Sequence, residues 1–201
     1  MTKNNLNPDS AATEPALLAK WIEQAKKGDI QAFQRIYDLS SRKVLNFIYR
    51  MVASMEEAED LTQETFITVY QKLGSLKEDA KFEPWLFRIA RNYVYQKYRR
   101  RGPATVSVDA RDEGGRSATE IVDERKGPQE AFQSDELGRV VREVISDLTE
   151  KYREVFVLSV IQHRSYQEIS EIVGRSLASV KTDIHRARLQ VRKRVKEYLK
   201  G

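Results

Sequence analysis

The sequence predicts an all-α protein of two small helical domains joined by a flexible acidic linker. Three observations predict it. Apolar residues recur every three to four positions along most of the 201 residues, and no stretch alternates as a strand would. Helix-start and helix-stop residues punctuate those stripes. The period then vanishes over residues 102–127, GPATVSVDARDEGGRSATEIVDERKG, which are rich in Gly, Pro, Ser and charge. A structureless loop of that length inside one compact domain would be unusual, so it reads as a linker. Residues 1–15 read as a disordered tail, 16–101 as the first domain and 128–201 as the second. Fully extended, the linker could reach roughly 85–95 Å; as a flexible coil it would average roughly 30 Å.

Leu17, Leu18, Trp21, Ile22 and Ala25 form a first stripe, closed by Gly28. Asp29 is placed to cap a second helix that buries Phe33, Ile36, Tyr37, Val44, Ile48, Met51 and Val52. Ser54 with Glu57 three residues on predicts a capping box. It opens a helix whose inward face is Ala58, Leu61, Thr65, Phe66, Val69 and Leu73. Pro84 suits the first position of a fourth helix running toward Arg101, with Trp85, Leu86, Phe87, Ile89, Ala90, Tyr93 and Val94 on its core arc.

In the second domain, Pro128 is expected to start a helix with Leu137, Val140, Val141, Val144, Ile145 and Leu148 on one side. Thr149 caps the next, which buries Tyr152, Val155, Phe156 and Val160. Ser165 and Glu168 form a second capping box, ahead of Ile169, Ile172 and Val173. Gly174 ends that short helix as a left-handed cap would require. Ser176 caps the last helix, with Val180, Ile184, Ala187, Val191 and Val195 inward. A short helix, a Gly-containing turn and a basic helix make a helix-turn-helix pattern.

Composition narrows the function. There is no Cys, which removes disulfide scaffolds and Cys-ligated metal sites. His163 and His185 are the only imidazoles, so no metal, cofactor or His-based triad is expected. Apolar runs are too short to span a membrane, and the N-terminus MTKNNLNPDSAATEP has no apolar signal core. No membrane insertion is expected, and a cytoplasmic location is. No apolar pocket with paired acids, nucleophile–base pair or phosphate loop can be read, so no enzyme is expected. The formal net charge of +5 leans toward a polyanionic partner. Its distribution says more. Bases crowd residues 81–101 and the stretch from Gly174 onward, separated by residues 102–136 with four bases against nine acids.

Three surface patterns stand out on helical wheels. On the fourth helix Arg88, Arg91, Asn92, Tyr95, Tyr98 and Arg99 share the arc opposite the core. Interleaved cations and aromatics there suit backbone neutralisation and base stacking, and equally a solvated helix with snorkelling tyrosines. On the third helix Asp60, Gln63, Glu64 and Gln71 surround an apolar Ile67, the pattern of a docking spot for a basic protein or of an ordinary exposed Ile. On the last helix and the turn before it, Arg175, Ala178, Ser179, Thr182, His185, Arg186 and Leu189 present a mostly small, polar or basic face, fit to enter a major groove and equally that of a plain helical hairpin.

DLTQETF (Asp60–Phe66) followed by FEPWLFRIARNYVYQKYRRR (Phe82–Arg101) resembles region 2 of bacterial sigma factors of the extracytoplasmic-function (ECF) group. LTEKYREVFVLSVIQHRSYQEISEIVGRSLASVKTDIHRARLQVRKRV (Leu148–Val195) resembles their region 4. The resemblance implies a non-enzymatic subunit that joins the RNA polymerase core, directs it to a promoter and helps to open the duplex. Asp60, Gln63, Glu64 and Ile67 would then meet the β′ clamp helices, and the second domain the β flap. The fourth helix, through Arg88, Arg91, Asn92, Tyr95, Tyr98 and Arg99, and the loop from Ser75 to Glu83 would read the minus-ten element. Arg175, Ser179, Lys181, Thr182, His185 and Arg186 would hold the minus-thirty-five element. Gln96 stands where the family often has Asp, and Ala178-Ser179 where it often has Gly-Thr, which leaves promoter preference open. Relatives are often held by an anti-sigma factor, a further partner that the resemblance allows. No extra segment is expected after region 4. The competing reading is a stand-alone helix-turn-helix regulator, which leaves the Asp60 and Arg88–Arg99 faces without a role. An RNA-binding or interaction module is a third.

Overall fold

A computed structural model describes residues 14–100 and 138–198. Residues 1–13 of the expected tail, the linker and the expected helix start at Pro128 lie outside the described residues, as does Leu137; Glu14 and Pro15, expected in the disordered tail, instead open the first helix. The described residues are helical, with no strand among them. The first lobe comprises α1 (Glu14–Lys26), α2 (Ile30–Val52), α3 (Met55–Lys72) and α4 (Phe82–Arg100), with two 3-10 turns (Leu73–Ser75 and Asp79–Lys81) before α4. The second comprises α5 (138–146), α6 (Glu150–Phe156), α7 (Tyr166–Val173) and α8 (Leu177–Tyr198).

Most helix starts follow the expected chemistry. Asp29 accepts from the N–H groups of Gln31 and Ala32 and caps α2. Ser165 and Glu168 close a full capping box on α7, and Gly174 ends it at φ 66°. Ser176 Oγ accepts from Ser179 N–H at the head of α8. Three starts differ. Ser54 accepts from Glu57 N–H, but the Glu57 carboxylate turns to Lys97 on α4 at 3.2 Å. Thr149 sits at the N-cap of α6 with its backbone carbonyl accepting from Tyr152 and Arg153, while its hydroxyl makes no cap. Helix α4 begins at Phe82, two residues before Pro84. Phe82 and Pro84 are buried, so packing extends the helix past the position that Pro tolerance marks.

The first core holds Ile22, Ile36, Val44, Phe47, Ile48, Ala58, Phe66, Val69, Phe82, Leu86, Phe87 and Val94. Phe47, absent from the stripe read in the sequence, is fully buried and meets Phe87 edge-on at 5.5 Å. Phe33 and Tyr37 are only half-buried. In the second lobe Val155, Phe156, Val157, Leu158, Ile169, Ile172, Val180, Ile184 and Ala187 pack together, while Val191 is half-buried. Helix α6 widens into a π-helical turn, Val157–Ile161, and His163 then takes a left-handed φ of 52°.

The two helical lobes expected from the sequence are present, and they pack directly on one another, α7 on α4 and α6 and the π-helical turn on α2. Their buried apolar residues form one continuous cluster. Apolar side chains left over on both lobes find cover in each other, as the hydrophobic effect favours.

Candidate nucleic-acid and polymerase interface

On α3, Asp60, Gln63, Glu64 and Ile67 are all exposed, Ile67 by 58%. Gln63 and Ile67 line a groove that the sequence reading did not foresee, together with Phe33, Tyr37, Phe66, Tyr70 and Gln71, whereas Asp60 and Glu64 line a separate cleft with Glu57, Lys97 and Arg100. Phe33 stacks edge-on against Tyr70 at 4.9 Å and Tyr37 against Phe66 at 4.8 Å. Residues assigned to the α2 core thus open onto the surface beside the α3 acids. The missed signal was that Phe33 and Tyr37 lie at the edge of the apolar stripe. An apolar patch edged by the amides of Gln63 and Gln71, on the same helix as the exposed acids Asp60 and Glu64, fits a basic partner with an apolar anchor.

The α4 arc divides in two. Arg88, Asn92 and Arg99 are exposed. Arg91, Tyr95 and Tyr98 are half-buried and engaged. Tyr98 donates to the Met51 carbonyl at 2.6 Å, Tyr95 to Glu154 at 3.2 Å, and Arg91 is ion-paired to Glu154. The Arg91 guanidinium lies 4.3 Å over the Tyr95 ring. Burial, with the Glu154 charge behind it, pushes the Tyr95 hydroxyl far above its ordinary value, so it stays a donor. On the inner side Tyr93 shares a 2.6 Å hydrogen bond with Thr68 and fixes α4 on α3.

Before α4, the loop forms a cavity of about 350 Å³ with Ser75, Leu76, Lys77, Lys81, Pro84, Trp85 and Arg88 in its wall. Lys26, at the end of α1, braces this wall. Its ammonium donates to the Leu76 carbonyl at 2.7 Å and pairs with Asp79 at 2.6 Å. Sequence reasoning missed Lys26 because its partners lie 50 and 53 residues away.

In the second lobe Lys181, Thr182, His185 and Arg186 are exposed along α8, and Ser179 is half-buried. Thr182 donates to the Ala178 carbonyl at 3.0 Å. Arg175 does not share that face. Its guanidinium pairs with Asp183 at 2.5 Å and with Glu154 at 3.4 Å, and Lys151 meets Asp183 at 3.0 Å. Asp183 and Glu154 are almost wholly buried. Burial pushes the Glu154 carboxyl above its ordinary value, against the pull of Arg91 and Arg175. Arg175 therefore staples α6 to α8. Among the described residues no cluster of His, Asp or Glu is placed to hold a metal ion, and no helix is long and apolar enough to cross a membrane.

The two lobes coincide with two family models. Residues 36–103 match Sigma-70 region 2, and residues 138–191 match Sigma-70 region 4. The chain is 38% identical to the ECF RNA polymerase sigma factor SigW of Bacillus subtilis, over 90% of this chain and 98% of the relative. This chain belongs to the ECF RNA polymerase sigma factors. It is 31% identical to the ECF RNA polymerase sigma-E factor of Escherichia coli, covering 89% of this chain and 94% of that one. The fold is that of the sigma factor RpoE solved in complex with the anti-sigma factor NepR from Bartonella quintana. That structure superposes with a TM-score of 0.63 at 20% identity, over 83% of this chain and 98% of that chain. The sigma-factor family is one of transcription initiation factors. The matched intervals fall on the lobe that carries the α3 and α4 faces and on the lobe that carries the helix-turn-helix.

Proposed function

We propose that this sigma factor binds the RNA polymerase core through the acid-rimmed face of α3 and reads a promoter with α4, its preceding loop and α8. One observation carries the reading. Three surfaces of different chemistry, one acidic and apolar and two basic, sit on the two lobes in the family's order. Asp60, Gln63, Glu64 and Ile67 supply the polymerase contact. Arg88, Asn92 and Arg99 meet the minus-ten strand, joined by Arg91, Tyr95 and Tyr98. A base drawn from the stack would lodge in the loop cavity beside Trp85, at an unstacking cost of a few kcal/mol that polymerase binding can offset. Ser179, Lys181, Thr182, His185 and Arg186 meet the minus-thirty-five duplex, with Arg175 supporting them from behind.

The chain acts without catalysing a reaction, in the cytoplasm beside the polymerase. Core polymerase through its β′ clamp helices and β flap, promoter DNA and an anti-sigma factor such as the Bartonella relative has are its partner classes. The test is transcription of the host's genomic DNA by core polymerase with and without the purified chain, mapping transcript starts. New starts that need both components are expected. Starts that form without the chain, or failure to co-elute with core, would falsify the reading. Replacing Asp60 and Glu64 by Ala should weaken core binding about tenfold or more with helical content unchanged.

A further inference from the structure

We propose that the head of α8 reads thymine by apolar contact: Leu177, Ala178 and the methyl group of Thr182 form one patch that meets the C5-methyl groups of thymines in the minus-thirty-five major groove. The inference deepens, and rests on, the reading of α8 as the helix that enters that groove.

A recognition helix addresses base edges with its N-terminal residues, so what the first turns of α8 leave exposed decides what can be read. Most of the polar groups there are already spent. Arg175 is held by Asp183 and Glu154, off the exposed face of α8. Ser176 Oγ accepts from the Ser179 N–H, and Ser179 itself is half-buried. The Thr182 hydroxyl donates its proton to the Ala178 carbonyl at 3.0 Å. That leaves the Thr182 side chain a methyl group and an acceptor to offer DNA. Leu177, by contrast, is 40% exposed and stands outside the buried cluster, and Ala178 beside it is exposed as well. Leu177 and Ala178 lie one helical turn from Lys181 and Thr182, so the four share one face of α8.

Apolar atoms on that face select the base. In the major groove thymine alone shows an apolar group, its C5-methyl, whereas the other bases present only hydrogen-bonding atoms there. A Leu side chain pressed on a purine N7 or an exocyclic amine strips water from a group that it cannot pair, which is unfavourable. Against a thymine methyl the same contact removes apolar surface from water on both sides. Burial of one methyl is worth about three- to fivefold in affinity. Lys181, His185 and Arg186, exposed along the same helix, supply phosphate contacts that position α8 without choosing a sequence.

The test uses the full-length chain with core polymerase and the strongest promoter found by mapping transcript starts. Duplexes are compared that carry thymine, or deoxyuridine in its place, at each thymine of the minus-thirty-five element on either strand. Deoxyuridine keeps the base pair and removes only the methyl. We expect positions at which deoxyuridine weakens binding about three- to fivefold, and no effect of deoxyuridine in the spacer between the two elements. Leu177→Ala and Thr182→Ser should each weaken binding of the thymine duplex and abolish the preference at one such position, with helical circular dichroism unchanged. Thr182→Val keeps a methyl without the hydroxyl and should retain the preference. Equal binding of the thymine and deoxyuridine duplexes overturns the proposal, as does a minus-thirty-five element with no A·T pair. So does a preference that survives both Leu177→Ala and Thr182→Ser, or one that Thr182→Val destroys. If Leu177→Ala loses helix, the two Thr182 variants decide alone. Absence of any promoter binding refutes the reading of α8 and the proposal with it, whereas promoter binding indifferent to the methyl refutes the proposal alone.

Discussion

Arg175 shows how far a residue's type can mislead about its task. A cation at the head of a recognition helix reads as a phosphate contact, and only the fold reveals Asp183 and Glu154 beneath it. Arg175→Ala leaves two buried carboxylates with fewer partners, and because Lys151 and Arg91 remain, the cost should be about 2–3 kcal/mol. Chemical denaturation of the full chain checks this, and loss of DNA binding by that variant should track loss of folded protein. Arg186→Ala, on an exposed side chain, should instead leave stability unchanged, weaken duplex binding and flatten its salt dependence by about one phosphate's worth. Lys26 makes the opposite case, an unremarked side chain with a defined task. Lys26→Met should slow promoter opening several-fold, measured by permanganate reactivity of unpaired thymines, while core affinity is retained. Lys26→Arg should recover part of the rate, because it keeps the charge that meets Asp79.

Element boundaries were legible wherever local chemistry makes them. The Asp29 cap, the Ser165–Glu168 box and the Gly174 terminus depend on residues within a turn or two of one another. Gly174→Ala should cost about 1 kcal/mol, since the new Cβ would meet open space and the penalty is only that of a left-handed φ. A thermal melt should fall by about 2–4 °C. The misplaced start of α4 and the π-helical turn after Phe156 follow from packing, which no local signal carries. The wheel of α4 placed Leu86, Phe87, Ala90 and Val94 in the core, where they are buried, but also Trp85, Ile89 and Tyr93, which are only half-buried at its edge. It could not tell water from a distant helix, so Arg91 and Tyr95, which meet Glu154 of the second lobe, and Tyr98, bonded to the Met51 carbonyl of α2, read as solvent-facing. The exposure of Ile67 was legible because it is out of phase with the apolar stripe of its own helix, whereas the groove beside it needed α2 to be laid alongside.

For the whole molecule, the contact between the lobes links stability to shape. Burial alone would raise the Glu83 carboxyl, but the hydrogen bond and charge of Arg164, with Lys43, outweigh it and hold the group below its ordinary value of 4.5. A depressed folded-state value means that this contribution is whole above the unfolded value and lost as pH falls through the folded one. The hydrodynamic radius should therefore stay compact near neutrality and grow below about pH 4.5, as the Arg164–Glu83 clamp is protonated away. Glu83→Gln should remove that acid-dependent part of the expansion. An unchanged profile would assign the expansion to other carboxylates.

The order of helices, their caps, the helix-turn-helix and the segregation of charge were settled by residues close together along the chain, where 3.6-residue periodicity and capping act. Which basic residues face solvent, which brace the core and how the lobes meet were decided by the tertiary structure. Those outcomes depend on pairs such as Arg91–Glu154 and Lys26–Asp79, separated by 63 and 53 residues. A one-dimensional pattern does not encode such pairings, because burial and charge compensation arise only once distant helices are in contact.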